Sequence, residues 1–128
     1  MVIDTSAVVA ILLREPTRAD LLAKVVTNTT SIAAPSVLET YMVMRRHLGA
    51  STESTILAEL ERWRITIVDF TPEHAIEATR AFDQFGKGRH PAGLNFGDCI
   101  AYALAKVSHQ TLLFVGDDFR LTDIRPAL

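Results

Sequence analysis

The stretch LNFGDCIAYALA, residues 94–105, decides the fold of this chain. From Cys99 to Ala105 every residue is apolar or small, and Val107 extends the run. A helix that is apolar on nearly all sides is a buried helix, so the stretch predicts a helix packed inside the protein. Its opening turn nevertheless contains a carboxylate, Asp98. This raises the question of what compensates an acid at the mouth of a buried helix.

Segments with strand and helix patterns alternate along the rest of the chain. Four short apolar or β-branched runs are predicted strands, namely MVID (1–4), SIAAP (31–35), ITIVDF (65–70) and TLLFV (111–115). We expect Pro35 to end the second strand, Gly49 to end the helix that follows it, and Thr71-Pro72 to open a later helix. This alternation indicates an α/β fold around a mostly parallel sheet, with residues 1–128 as a single domain.

The composition excludes several classes of protein. The chain has 128 residues and a net charge of −2, which argues against a protein that coats nucleic acid. Its single cysteine rules out an internal disulfide bond and suits a reducing compartment. No apolar run is long enough to span a membrane, and the apolar start lacks the basic leader of a signal peptide. We therefore expect a cytoplasmic protein, and the 48% apolar content favours an additional buried face such as a dimer interface.

Acidic residues recur where a predicted strand gives way to a helix or turn. Asp4 ends the first strand, Glu39 lies in the first turn after the second, Asp98 opens the buried helix, and Asp117-Asp118 follows the last strand. Ligands of parallel α/β proteins bind beyond the carboxyl ends of the strands, so we expect these side chains to face one crevice. Local explanations exist as well. Asp4 and Asp98 could serve their own helix starts, Ser36-x-x-Glu39 fits a capping box, and Asp117-Asp118 could form a simple turn.

Carboxylates that share a crevice raise one another's pKa, and burial raises it further. A divalent cation removes this penalty, and oxygen ligands suit Mg²⁺ or Mn²⁺. No histidine or cysteine set has the spacing of a zinc site, because the histidines are scattered at positions 47, 74, 90 and 109. Mg²⁺ completes its shell with waters and substrate phosphates, so the pattern favours phosphoryl chemistry.

Four segments resemble the PIN-domain ribonucleases, and more narrowly the VapC toxins of bacterial VapBC toxin–antitoxin systems. They are MVIDTSAVVAIL, AAPSVLE, KGRHPAGLNFGDCIAYALA and LLFVGDDFRLTDI, and the resemblance extends over essentially the whole chain. It implies an α/β/α sandwich around a mostly parallel sheet of four to five strands, and a toxin endoribonuclease that hydrolyses RNA phosphodiester bonds with Mg²⁺ or Mn²⁺. It also implies a VapB-type antitoxin that covers the pocket, and a homodimer that can join the antitoxin in a larger hetero-oligomer.

The resemblance assigns roles to individual acids. It implies that Asp4 and Asp98 are metal ligands and that Glu39 completes the acidic core. A fourth acid follows the last strand; we prefer Asp117, which lies nearer the strand end, and keep Asp118 as the alternative. Ser6 resembles the hydroxyl-bearing position that supports the site. From this set we expect metal-assisted attack of water, leaving a 5′-phosphate and a 3′-hydroxyl.

Basic residues near these acids are candidates for contact with the phosphate backbone of RNA. Lys87 and Arg89 lie in the loop before the Asp98 helix, and Arg45 and Arg46 end the helix that contains Glu39. For Arg45 and Arg46, solvated charge at a helix C-terminus is an equally good explanation.

Three other functions compete with a nuclease. A PIN-like RNA- or protein-binding module without catalysis is the main alternative. A phosphoacceptor receiver domain would need an aspartate ending a middle strand and a lysine ending a late one; Asp69 is the only candidate acceptor, and no lysine ends TLLFV. A cysteine hydrolase would depend on Cys99, which lies inside the apolar helix, where cysteines are usually inert.

Overall fold

The computed structural model describes residues 1–128 and contains one four-stranded sheet in which every pairing is parallel. The strands are β1 (Val2–Ile3), β2 (Thr30–Ala33), β3 (Ile65–Val68) and β4 (Leu112–Leu113). Their order across the sheet is β3-β2-β1-β4, so β1 lies between β2 and β4. The predicted α/β fold around a parallel sheet is confirmed.

Six α-helices connect and cover these strands. They are α1 (Thr5–Leu12), α2 (Arg18–Val26), α3 (Ala34–Leu48), α4 (Thr52–Arg62), α5 (Pro72–Phe85) and α6 (Phe96–Val107). Short 3₁₀ turns follow at Gly49–Ser51 and Asp118–Leu121. None of the helices has the length and apolarity that crossing a bilayer demands.

Successive strand residues feed two separate apolar cores, because side chains alternate between the faces of a strand. Val2 and Leu112 belong to the core that contains residues of α5 and α6. Ile3 and Leu113 belong to the core built with α1, α2 and α4. The sheet is therefore covered on both faces, and the carboxyl ends of β1 and β2 lead directly into the first turns of α1 and α3.

Helix α6 is buried along nearly its whole length, as its sequence predicts. Every residue from Gly97 to Ala105 is buried. Ala101, Ala103 and Ala105 are at most 1% exposed, and such small side chains allow close packing against the sheet. The first turn of α6, with Asp98, is consequently held at a fixed position.

The structure differs from the sequence prediction at two strands. Pro35 does not end β2; it lies in the first turn of α3, where its missing N–H has no helical partner to lose. TLLFV contributes only Leu112–Leu113 to the sheet. The chain leaves the ladder after them because the Val115 N–H donates to the Ser6 hydroxyl, and Gly116 turns the chain with φ +103°.

Candidate active site

Asp4 follows β1 and forms the N-cap of α1. Its Oδ2 atom accepts hydrogen bonds from the Ser6 N–H at 2.9 Å and from the Ser6 hydroxyl at 2.6 Å. The same hydroxyl accepts from the Val115 N–H at 3.0 Å. Ser6 thus fixes the Asp4 carboxylate and joins it to the segment after β4. The role of Asp4 as the N-cap of α1 is compatible with its predicted role as one of the clustered acids.

Glu39 takes part in no capping box, contrary to one of the local explanations. Helix α3 begins at Ala34 with Ala33 as its N-cap, so Ser36 and Glu39 lie inside the helix. The Ser36 hydroxyl is buried without a partner. Glu39 Oε2 instead accepts a hydrogen bond from the Thr5 hydroxyl of α1 at 3.1 Å. The carboxylate is therefore oriented across helices.

Asp98 forms a reciprocal capping box with Asn95 at the start of α6. The Asp98 N–H donates to Asn95 Oδ1, and the Asn95 N–H donates to Asp98 Oδ2, each at 2.9 Å. Only one carboxylate oxygen of Asp98 is engaged in this way. The cap fixes the side chain and leaves Oδ1 without a hydrogen-bond donor.

Asp117 and Asp118, the two candidates for the fourth acid, have different surroundings in the structure. The Asp117 side chain is 93% exposed and pairs with Arg120 at 3.1 Å. Asp118, in contrast, is the acid of this pair whose charge raises the pKa values of Asp4 and Asp98. Asp117 is the N-cap of the 3₁₀ turn and Asp118 is its first residue. The candidate acids whose charges act on one another are thus Asp4, Glu39, Asp98 and Asp118.

Three of these acids have raised pKa values. Burial, opposed by the Asn95 N–H and reinforced by the other acids, raises the pKa of Asp98 to about 7. Burial also raises the pKa of Asp4, although hydrogen bonds from Ser6 lower it in part. Burial and the charge of Asp4 raise the pKa of Glu39.

No basic side chain compensates this cluster, because every ion pair in the protein involves a different carboxylate. The acid at the mouth of the buried helix is therefore one of several acids whose charges act on one another and that no basic side chain compensates. Acids with such perturbed pKa values are candidates for a functional site.

The donor set fits a hard divalent cation held partly through water. No three His, Cys, Asp or Glu side chains stand close enough together to hold an ion by themselves. Mg²⁺ typically takes one or two carboxylates and keeps several waters, so direct contact with every acid is not required. The Glu39 carboxylate also lies in a cradle at Gly97, where an added Cβ would come within 2.3 Å of it.

The predicted basic residues are distributed unevenly around the crevice. Arg46 lines a groove together with Glu39, Met42 and Val43. Arg89 stacks over the Phe82 ring at 5.4 Å and lies 4.0 Å from Asp83. Its guanidinium is thus held against α5.

The remaining two basic residues make no contact with the acids. Lys87 is exposed in the loop after α5, and Arg45 lies in the last turn of α3. Among the four candidates, Arg46 is the one that the structure brings beside a member of the acid cluster.

Sequence reasoning missed two residues that orient the acids. The Thr5 hydroxyl donates a hydrogen bond to Glu39, which lies 34 positions later in the sequence, and no local pattern predicts such a contact. Asn95 had a usable signal, because an N-cap residue three positions before an acid is the pattern of a capping box.

The structure also disfavours two competing functions. Burial and the nearby Asp98 charge raise the pKa of the Cys99 thiol to about 11, so it stays protonated and a poor nucleophile. Asp69 follows β3, which is an edge strand of the sheet, whereas a receiver domain needs its acceptor beyond a middle strand.

Comparisons with known proteins agree on one family. The PIN domain profile matches residues 1–124. The chain is 46% identical over 126 residues to Ribonuclease VapC of Mycolicibacterium smegmatis, covering 97% of each protein. It is 41% identical over 126 residues to Ribonuclease VapC36 of Mycobacterium tuberculosis, covering 97% of this chain and 91% of that protein.

Solved structures show the same fold at low sequence identity. The crystal structure of Mycobacterium tuberculosis VapC20, described as a sarcin-ricin loop cleaving toxin, matches with a TM-score of 0.71 and 14% identity over 98% of both chains. A chain of a toxin–antitoxin complex from Klebsiella pneumoniae matches with a TM-score of 0.71 and 15% identity, over 95% of this chain and 92% of that one.

Proposed function

The chain belongs to the PIN-domain family, and we propose that it is the toxin endoribonuclease of a type II toxin–antitoxin system, hydrolysing RNA phosphodiester bonds. One observation supports this proposal above the others. The charges of Asp4, Glu39, Asp98 and Asp118 act on one another's pKa values, and none of the four pairs with a basic side chain.

Ribonucleases of this family generally need a divalent metal ion, and the ion proposed here is Mg²⁺ or Mn²⁺. Asp4 and Asp98 are the proposed ligands, since each has one oxygen fixed by hydrogen bonds and both are buried. A bound ion of this kind lowers the pKa of a water and stabilises charge at the phosphate.

The remaining chemistry is performed by side chains of this protein. Glu39, oriented by Thr5, accepts a proton from the attacking water or orients that water toward the phosphate. Ser6 keeps the Asp4 carboxylate in register with the segment that leads to Asp118. In-line attack of water breaks the P–O3′ bond and leaves a 5′-phosphate and a 3′-hydroxyl. The reaction needs no 2′-hydroxyl, so preference for RNA comes from binding.

Substrate binding uses positive charge outside the crevice. Arg46 is the proposed phosphate contact next to Glu39. Lys87 and Arg45 contribute more distant positive charge, and Arg89 can do so after leaving Phe82 and Asp83. Each exchange of a phosphate-bound counterion for one of these side chains strengthens binding at low salt.

Exposed apolar side chains beside the crevice suit protein partners. Leu38, Met42 and Phe96 are 61%, 68% and 83% exposed, and they line one groove with Glu39. An antitoxin that covers this groove would hide the acids from RNA, and a second copy of the chain would bury apolar surface. The proposed assemblies are therefore a homodimer and a complex with a VapB-type antitoxin, in the cytoplasm.

The experiment that tests this function compares the wild type with Asp4→Asn on induced expression. We expect growth arrest and cleaved RNAs with 5′-phosphate ends for the wild type only. Asp69→Asn is the matched control, because Asp69 also follows a strand but lies outside the acid cluster. Equal toxicity of wild type and Asp4→Asn would contradict the proposed site. Binding of RNA without cleavage would favour a non-catalytic module.

A further inference from the structure

Gly97 is the second residue of α6, between the Asn95 cap and Asp98. A Cβ atom added at Gly97 would lie 2.3 Å from both carboxylate oxygens of Glu39 and 2.5 Å from its carboxyl carbon. These are the three nearest atoms to the added carbon, and all belong to one side chain. The Glu39 carboxylate therefore rests directly on the backbone of α6.

Backbone conformation does not explain a glycine at this position. Gly97 is helical, and its φ lies outside the left-handed region that favours glycine. Within a helix glycine is less favourable than alanine, so local structure alone would favour a side chain here. The feature that needs the missing side chain is the approach of Glu39.

We propose that Gly97 is a positioning residue for the nuclease site, an inference that rests on the function proposed above. It leaves the space that lets the Glu39 carboxylate, carried by α3, stand beside Asp98 at the start of α6. The Thr5 hydroxyl holds the same carboxylate from α1 at 3.1 Å. Glu39 is thus fixed between two helices, one supplying a hydrogen bond and the other an empty position.

Substitution by alanine forces the carboxylate to move. Non-bonded heavy atoms are in ordinary contact at about 3.5 Å, so the Glu39 carboxylate would move away from the added Cβ atom by roughly 1 Å. A misplacement of this size can lower an enzymatic rate by roughly 100-fold. RNA binding should change little, because the basic side chains outside the crevice do not contact Gly97.

A stability cycle in metal-free protein tests the contact without any use of activity. Gly97→Ala is measured in the wild type and in Glu39→Ala. We expect the substitution to raise the melting temperature in Glu39→Ala, where the space is empty and alanine favours the helix, and to raise it less or lower it in the wild type, where the Glu39 carboxylate must move away from the Thr5 hydroxyl. An equal fall in both backgrounds would show that helix packing, not Glu39, needs the glycine, and would overturn the proposal.

Cleavage kinetics supply the second test. Gly97→Ala should lower kcat at least tenfold and leave KM for RNA within about twofold, a split expected when an interaction specific to the transition state is lost. The Glu39→Asp side chain is one methylene shorter, and we expect this variant to be less active than the wild type; in that background Gly97→Ala should lower kcat by less than about threefold. Independent, additive losses in the two backgrounds would contradict the positioning role.

The two proposals fail in distinguishable ways. If the wild type cleaves no RNA, the proposed function fails, while the stability cycle still reports on the contact between Gly97 and Glu39. If the wild type cleaves RNA and the cycle shows no coupling, only the role of Gly97 is lost.

Discussion

The two ends of α6 hold carboxylates in opposite ways. At the first turn, burial and neighbouring acids raise the pKa of Asp98 to about 7, and no cation pairs with it. Toward the last turn, Asp123 accepts hydrogen bonds from Tyr102 at 2.7 Å and from Lys106. The Asp123 side chain is half exposed, and although desolvation raises its pKa, the hydrogen bonds from Lys106 and Tyr102 lower that pKa below the usual value.

The difference shows which carboxylate serves stability and which serves chemistry. At Asp123 the fold supplies a cation and a hydroxyl, so the charged form is favoured in the folded state. At Asp98 the folded state disfavours the charged form, and such an arrangement persists where function requires it. Substitution of Asp98 should therefore affect mainly RNA cleavage, and substitution of Asp123 should affect mainly the free energy of unfolding.

We expect the largest effect from Asp98→Asn, which should lower the rate of RNA cleavage. Loss of a charged ligand removes several kcal/mol of transition-state stabilisation, so the rate should fall by more than about 100-fold. The measurement is hydrolysis of a generic RNA with Mn²⁺. Asp123→Asn, at the other end of the same helix, is the control and should retain cleavage within about twofold. Similar losses of cleavage in both variants would contradict the assignment of Asp98 to chemistry and of Asp123 to stability.

A finer contrast is available between two adjacent acids. Asp118→Asn should lower cleavage by roughly 10- to 100-fold, the size expected for a residue that supports a metal site. Asp117→Asn should have little effect, because its side chain is exposed and pairs with Arg120. The two rates are measured side by side at fixed Mn²⁺. A larger loss in Asp117→Asn would restore the preference drawn from strand position.

The stability of metal-free protein should fall as pH rises from about 4 to 7. The Asp98 pKa is higher in the folded state than its ordinary value of 3.8, so the folded protein binds the extra proton and loses that advantage as pH rises. Thermal melts between pH 4 and 8 check this slope, and Asp98→Asn should flatten it. Added Mg²⁺ or Mn²⁺ should raise the melting temperature more at pH 8 than at pH 5. A rise of equal size at both pH values would count against carboxylate binding of the ion.

The smallest effect is expected from Asp123→Asn on stability. Because this ion pair is about half exposed to solvent, its loss should lower the free energy of unfolding by at most about 1 kcal/mol, or the melting temperature by about 4 °C or less. The folded-state pKa of Asp123 is lowered, so this contribution is present above about pH 4 and disappears as pH falls further. A wild-type advantage that persisted unchanged at pH 2 would contradict this account.

Local signals predicted most of the fold. The apolar run after Cys99 gave a buried helix, Gly49 ended α3, and Thr71 capped α5, because each depends on residues close in sequence. The lengths of β1 and β4 could not be predicted in this way. Beyond those strands, the Val115 N–H that follows β4 donates to the Ser6 hydroxyl that follows β1, and these two residues are 109 positions apart in sequence.

The candidate site was predicted in outline for a similar reason. Asp4 follows β1, Asp98 lies in the first turn of α6, and Glu39 lies in the second turn of the helix that follows β2; topology alone brings such positions to one edge of the sheet. The choice between Asp117 and Asp118 depends on the direction of one short turn, which sequence does not specify. The cradle at Gly97 is a contact between two helices and has no local signature.

The hydrogen bonds of the Ser6 hydroxyl bear on when, during synthesis, the acid cluster becomes complete. It connects the beginning of the chain with Val115, and the strand before Val115 pairs with β1 in the middle of the sheet. A nascent chain of a hundred residues contains three of the candidate acids but neither Asp118 nor the backbone group that Ser6 binds. The acid cluster is therefore completed only after the segment from Val115 to Asp118 has been synthesised and has paired beside β1.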